Sequence, residues 1–186
     1  MPHALGWRAA MAVIAPSTNT VVEADFNRMC PPGVTVHVGR IHIRDQAMGD
    51  DDAMGNLIVQ IRAEIEAACE RVLTCEPDYV VMGMSAETFW GGADGSAAFL
   101  ERIERIVGLP VSTGAAACQA ALARYGARRI GVVTPYQPVG DQQVVRFFSD
   151  IGYEIAALEG LRENFNRNVQ EQLAIEVAFM TAFRHL

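Results

Sequence analysis

No part of this sequence carries the ~18 consecutive apolar residues that a membrane-spanning helix needs. Basic clusters are also lacking. The densest groups, at 124–129 and 162–167, are short and interrupted, and the net charge is −7. That balance excludes the phosphate contacts of a nucleic-acid-binding protein. Residues 1–10 lack the basic-then-apolar layout of a secretory signal, so the expected compartment is the cytoplasm. The four cysteines, Cys30, Cys69, Cys75 and Cys118, form no Cys-x-x-Cys pair and no Cys/His zinc spacing, so they read as reduced thiols with no metal site. The glycine-rich run Gly91-Gly92-Ala93-Asp94-Gly95 is neither a dinucleotide fingerprint nor a P-loop, and no Gly-x-Ser-x-Gly turn surrounds Ser85. No nucleotide is therefore expected.

What is present is an ample core. Apolar residues make up 51% of the 186, enough for one compact α/β unit or two small lobes. Apolar strand patterns alternate with helical ones. Strands are expected at 8–15, 35–43 (with a slip in alternation at Gly39), 79–84, 110–113, 129–134 and 153–158. Asp50 to Asp52 cap a long helix ending near Leu73, and further helices are expected at 96–107, 115–125 (closed by Gly126), 139–150 and 168–184. Such alternation predicts a Rossmann-like parallel sheet covered on both faces, with ligands at the carboxyl ends of its strands. The polar turns at 16–20, 85–88 and 135–136 all fall at such ends, and so are expected to converge on one pocket.

The segment from Arg8 to Thr18 is similar to that from Arg128 to Tyr136: each is a basic-led apolar strand ending in a proline turn. Pro16 and Pro135 stand 119 residues apart, and the same offset places the counterpart of Ser85 at 204, beyond Leu186. The sequence thus predicts two pseudo-symmetric lobes, at 1–112 and 113–186, with the second incomplete and its third strand absent.

The turn Val13-Ile14-Ala15-Pro16-Ser17-Thr18-Asn19-Thr20 resembles a proline turn of maleate cis-trans isomerases. Gly131-Val132-Val133-Thr134-Pro135-Tyr136 resembles a second one. Met82 to Gly92, with its ending Phe89-Trp90-Gly91-Gly92, resembles the first catalytic turn of arylmalonate decarboxylases. From Arg8 to Glu154 the chain therefore resembles the aspartate/glutamate racemase superfamily. The resemblance implies two α/β lobes around a small carboxylate, and cofactor-independent isomerisation, racemisation or decarboxylation at the carbon next to it. It also implies two cysteines facing the substrate from opposite lobes, one as nucleophile or base and one as acid. The chemistry suits thiols, which are nucleophilic and tunable toward neutral pKa. Here the first cysteine position falls on Ser85, or on Met84 if the turn is aligned one residue differently, and the second falls past Leu186. The substitution at Ser85 favours decarboxylase-like chemistry. A catalytically inactive carboxylate-binding or assembly protein, or a truncated enzyme, is the competing expectation.

Asn19, with Thr18 and Thr20, is expected to hold the substrate carboxylate, against the plainer role of closing a turn. Tyr136 is expected to hydrogen-bond a carboxylate or enolate oxygen, and Ser85 and Thr88 to form part of an oxyanion site. Asn164 resembles a late substrate-contacting residue of the isomerases. Glu87 is expected to be a solvated loop carboxylate, Cys118 a buried thiol on an apolar helix face, and Cys30 the most reactive thiol. His37 and His42 are placed on a strand in structural roles. Phe179, Met180 and Phe183 would be exposed or buried by a partner chain, and because apolar surface of that kind is usually covered, a homo-oligomer is expected.

Overall fold

A computed structural model describes residues 4–44 and 46–162. The fold is α/β, built on two parallel sheets. The first has the order β2-β1-β3-β4, from β1 (Ala9–Pro16), β2 (Val34–Ile41), β3 (Tyr79–Met82) and β4 (Val111–Ser112). The second pairs β5 (Arg129–Thr134) with β6 (Glu154–Gly160). β1 lies between β2 and β3 in register from Ala9↔Val34 to Pro16↔Ile41 and from Met11↔Tyr79 to Ile14↔Met82. Its central residues Ala12, Val13, Ile14 and Ala15 are fully buried, as a continuous apolar run in a parallel sheet requires. Because all strands of each sheet run the same way, their carboxyl ends share one edge, at Pro16, Ile41, Met82 and Ser112 in the first sheet.

Helix α2 (Asp51–Leu73) supplies the largest apolar face. The Asp50 carboxylate accepts from the Ala53 N–H at 2.8 Å, and Asp51 and Asp52 sit in the first turn, where the helix dipole favours negative charge. Met54, Leu57, Ile58, Ile61, Ile65, Ala68 and Val72 recur at helical spacing and are buried against the sheet. Gly39 explains the slip in the β2 alternation. A Cβ there would stand 2.8 Å from the Ala68 carbonyl oxygen and 2.9 Å from Ile14 Cδ1, so the bare backbone is what lets α2 lie on β2.

Several boundaries differ from the sequence expectation. α1 (Val22–Met29) carries no buried residue and so has no strong apolar signal. α3 (Gly92–Val107) begins four residues before Ser96, because its cap is not local. The Gly91 N–H donates to the Gln143 side chain at 2.9 Å, and the Ala93 N–H donates to Asp150 at 3.0 Å, both from α5 (Pro138–Asp150). His42 falls just past β2 rather than on it. On α4 (Gly114–Arg124) only Ala115 is buried. Cys118 is exposed, not buried as its alanine-rich neighbourhood suggested, since alanine does not mark a face as inward. Gly126 does close α4 in the left-handed conformation, φ +67°.

α5 joins the two sheets. Its Phe147 and Phe148 rings lie 5.2 and 5.8 Å from Phe89, which ends the 3-10 turn Ala86–Phe89. At its start, the Val139 N–H donates to Asp51 at 2.8 Å and the Gln137 amide donates to the Met48 carbonyl at 2.7 Å. No helix among the described residues is long and apolar enough to cross a membrane. Asn164 and the 168–184 segment, with Phe179, Met180 and Phe183, lie outside the described residues.

Candidate active site

A cleft of about 330 Å3 opens at the carboxyl edge of the first sheet. It gathers residues from all three proline and serine turns: Pro16, Thr18 and Asn19; Met82 to Ala86; and Tyr136, with Gly114 at the start of α4. The remaining wall is apolar apart from Gln46: Val22, Ile43, Met48, Leu57 and Ile61. Among the described residues, no charged side chain lines it. The sequence contains no lysine, and all fifteen cationic side chains are arginines.

The first turn is pinned from below. The Ser17 N–H donates to the Ile41 carbonyl at 2.7 Å, and Arg40 donates to the carbonyls of Pro16 and Asn19 at 3.2 and 2.6 Å while pairing with Glu23. The Asn19 side-chain Oδ1 accepts from the N–H groups of Val21 and Val22 at 3.0 and 2.9 Å, at the start of α1. Asn19 itself lines the cleft. Thr18 also lines the cleft, whereas Thr20 is exposed outside it.

The second turn follows β3. Ser85 is exposed, and its hydroxyl shares a short hydrogen bond with the Tyr136 phenol. Both Met84 and Ser85 line the cleft, but Ser85 carries the polar atom. Thr88 is fully buried and faces away. Its hydroxyl donates to the Ser85 carbonyl at 2.7 Å and accepts from the Ala115 N–H at 3.2 Å, so it is committed to holding the turn against α4.

Tyr136 is 4% exposed, and burial pushes its phenol up to about 12 against the opposing pull of the Ser85 hydrogen bond. It is therefore a neutral phenol at pH 7. None of the four cysteines lines the cleft. Cys30 is half-buried with its thiol 3.3 Å from the Val34 carbonyl, and burial raises Cys69 to about 11, which keeps it an unreactive thiol.

Glu87 corrects the sequence reading most sharply. It is buried, not solvated; one carboxylate oxygen accepts from Arg62 at 2.7 Å, and the other makes no bond among the described residues. Desolvation raises its pKa against the opposing pull of Arg62. A carboxyl whose folded pKa lies above its unfolded value of about 4.3 binds more protons folded than unfolded in that window. Its contribution to stability is thus full below about pH 4.3 and is lost as pH rises through the folded value. Glu87→Gln should remove that loss: urea unfolding at pH 7 should show the variant equal to or more stable than the parent, with the difference shifting toward the parent as pH falls to 4.

A family model described as arylmalonate decarboxylase matches residues 57–182. The chain belongs to the arylmalonate decarboxylase family. A search of the curated proteins returns no match. Among solved structures, the chain is similar to the Nocardia farcinica maleate cis-trans isomerase bound to TRIS, with TM-score 0.76 and 17% identity over 96% of this chain and 72% of that one. It is similar to the maleate isomerase Iso of Pseudomonas putida S16, with TM-score 0.69 and 16% identity over 91% and 72%. It is also similar to an arylmalonate decarboxylase structure, with TM-score 0.63 and 19% identity, covering 82% of this chain and 62%, less than two thirds, of that one. At these identities the likeness shows the fold, shared by the decarboxylase family and the maleate isomerases.

Proposed function

We propose that the chain binds a small malonate- or maleate-like carboxylate in the cleft and acts on the carbon next to that carboxylate without a cofactor, in decarboxylase fashion. The observation that carries this reading is the Ser85–Tyr136 hydroxyl pair on the wall of a neutral, largely apolar cleft. A carboxylate held by neutral donors (Asn19, Thr18, Ser85 and Tyr136) keeps its charge beside groups that stabilise it further as an enediolate. A second carboxylate set against Met48, Leu57 and Ile61 is stripped of water and gains by leaving as CO2. The C–C bond then breaks, its electron pair passes to the retained carboxylate as an enediolate, and the carbon takes a proton from solvent water. Each well-placed donor to that developing charge is worth on the order of 3 kcal/mol. Tyr136, protonated at neutral pH, supplies an O–H to this network through Ser85.

A second reading has its own observation. The Nocardia farcinica isomerase has been solved with a covalently bound succinylcysteine intermediate, and no cysteine of this chain lines the cleft. This favours carboxylate binding without turnover. Assembly with a second copy, expected from the sequence, belongs to that reading. Proton NMR in D2O with phenylmalonate, maleate and aspartate separates the two. Loss of phenylmalonate with deuterium entering the product carbon supports the enzyme. Thermal stabilisation by the same acids with no conversion supports the binding protein, and neither effect would sink both.

A further inference from the structure

The cleft uses the Tyr136 phenol, but what fixes Tyr136 lies behind it, in a set of side chains that no part of the proposed chemistry needs. Asp141, in the first turn of α5, is 6% exposed, with its carboxylate shared between two partners. One oxygen accepts a short hydrogen bond from the Thr134 hydroxyl, and the other pairs closely with Arg162. Both partners return to Tyr136. The Thr134 hydroxyl accepts from the Tyr136 N–H at 3.3 Å, and the Arg162 guanidinium donates to the Tyr136 carbonyl at 2.6 Å. The amide, carbonyl and phenol of Tyr136 are thus each held, the first two by groups converging on one buried carboxylate.

Two backbone features show that this arrangement is built rather than incidental. Arg162 adopts φ +59°, in the left-handed region that a branched or long side chain seldom occupies and that is retained only where the surroundings enforce it. At the end of β6, a Cβ on Gly160 would stand 2.1 Å from Arg162 Nη1 and 2.6 Å from Asp141 Oδ2, so the pair as placed uses the space that glycine leaves. The strand end, the strained residue and the buried acid are separate sequence features, and they meet on the Tyr136 turn.

We infer that Asp141 and Arg162 are positioning residues that hold the Tyr136 phenol against Ser85. Neither lines the cleft, so they act through Tyr136 and not on a bound acid. The significance for turnover rests on the proposed function, but the positioning can be read without any substrate.

The test labels the full chain with 13Cζ-tyrosine, whose shift reports hydrogen bonding of the phenol. Tyr136→Phe assigns the Tyr136 resonance among the four tyrosines, and Ser85→Ala gives the position of the resonance when the bond is lost. Asp141→Asn and Arg162→Gln should each move the Tyr136 resonance most of the way to its Ser85→Ala position, leaving Tyr79 and Tyr125 unmoved. Arg162→Lys, which keeps the charge but not the fork, should move it less. A lowered melting temperature with the Tyr136 resonance unmoved would overturn the inference and leave Asp141 as a fold-stabilising acid only. If Asp141→Asn fails to fold, the Arg162 variants decide alone, since that side chain is 42% exposed. Movement of the phenol in a chain that binds no acid would uphold the positioning and sink the functional reading instead.

Discussion

Replacing Tyr136 by phenylalanine should lower turnover of phenylmalonate by about 100- to 1,000-fold, the usual cost of removing one preorganised donor to a developing oxyanion. The ring fills the same space, so the unfolding transition should stay close to that of the parent. The loss should fall on kcat more than on KM, because Thr18 and Asn19 still line the site and the phenol acts most strongly as charge develops. The variant also leaves Ser85 Oγ without its phenolic partner. Ser85→Ala combined with Tyr136→Phe should therefore cost much less than the sum of the two single losses. Additive losses would show that the hydroxyls act separately. Single-turnover kinetics on the four proteins of the cycle measure this directly.

Ile14→Ala should be the most damaging of the conservative core truncations, costing about 2–5 kcal/mol. Ile14 is fully buried on the central strand, between β2 and β3, and its Cδ1 lies over Gly39 beneath α2. The cavity left behind cannot close by a side chain from β2, since Gly39 has none. Urea unfolding should show a lower midpoint with an unchanged slope, the mark of lost stability without altered compactness. The carbonyl of Ile14 also receives the Gly83 N–H at 2.7 Å, so the strand feeds both cleft turns. A loss below about 1 kcal/mol would place the keystone of the fold elsewhere than this crossing.

The β-α-β order and the edge on which the cleft opens are legible in the sequence because they follow from short-range pattern. The run Ala12 to Ala15 is buried on both sides, and Asp50 is a local cap read from adjacent residues. The convergence of Pro16, Ser85 and Tyr136 follows from parallel topology alone, since every strand delivers its turn to one edge. What was not legible depends on partners far along the chain. Glu87 looks like any loop acid until Arg62, 25 residues earlier, is brought beside it. The start of α3 carries no capping residue of its own, because Gln143 and Asp150 act from another helix. Thr88 and Ser85 read alike as loop hydroxyls. Only the packing of α4 turns one inward to Ala115 and leaves the other at the cleft. The Asp141–Arg162 pair carries no local signal for the same reason: it acts through the bond from Arg162 to a carbonyl 26 residues away.

The cleft at the carboxyl edge of the first sheet is the proposed carboxylate site. The most direct measurement is a titration of the 15N-labelled chain with phenylmalonate, followed by two-dimensional amide NMR. Saturable shifts should appear at Asn19, at Gly83 to Ala86, at Gly114 and at Tyr136, and should largely persist in Tyr136→Phe, whose loss falls on turnover. Shifts confined to residues away from the cleft, or no shifts at any ligand concentration, would contradict it.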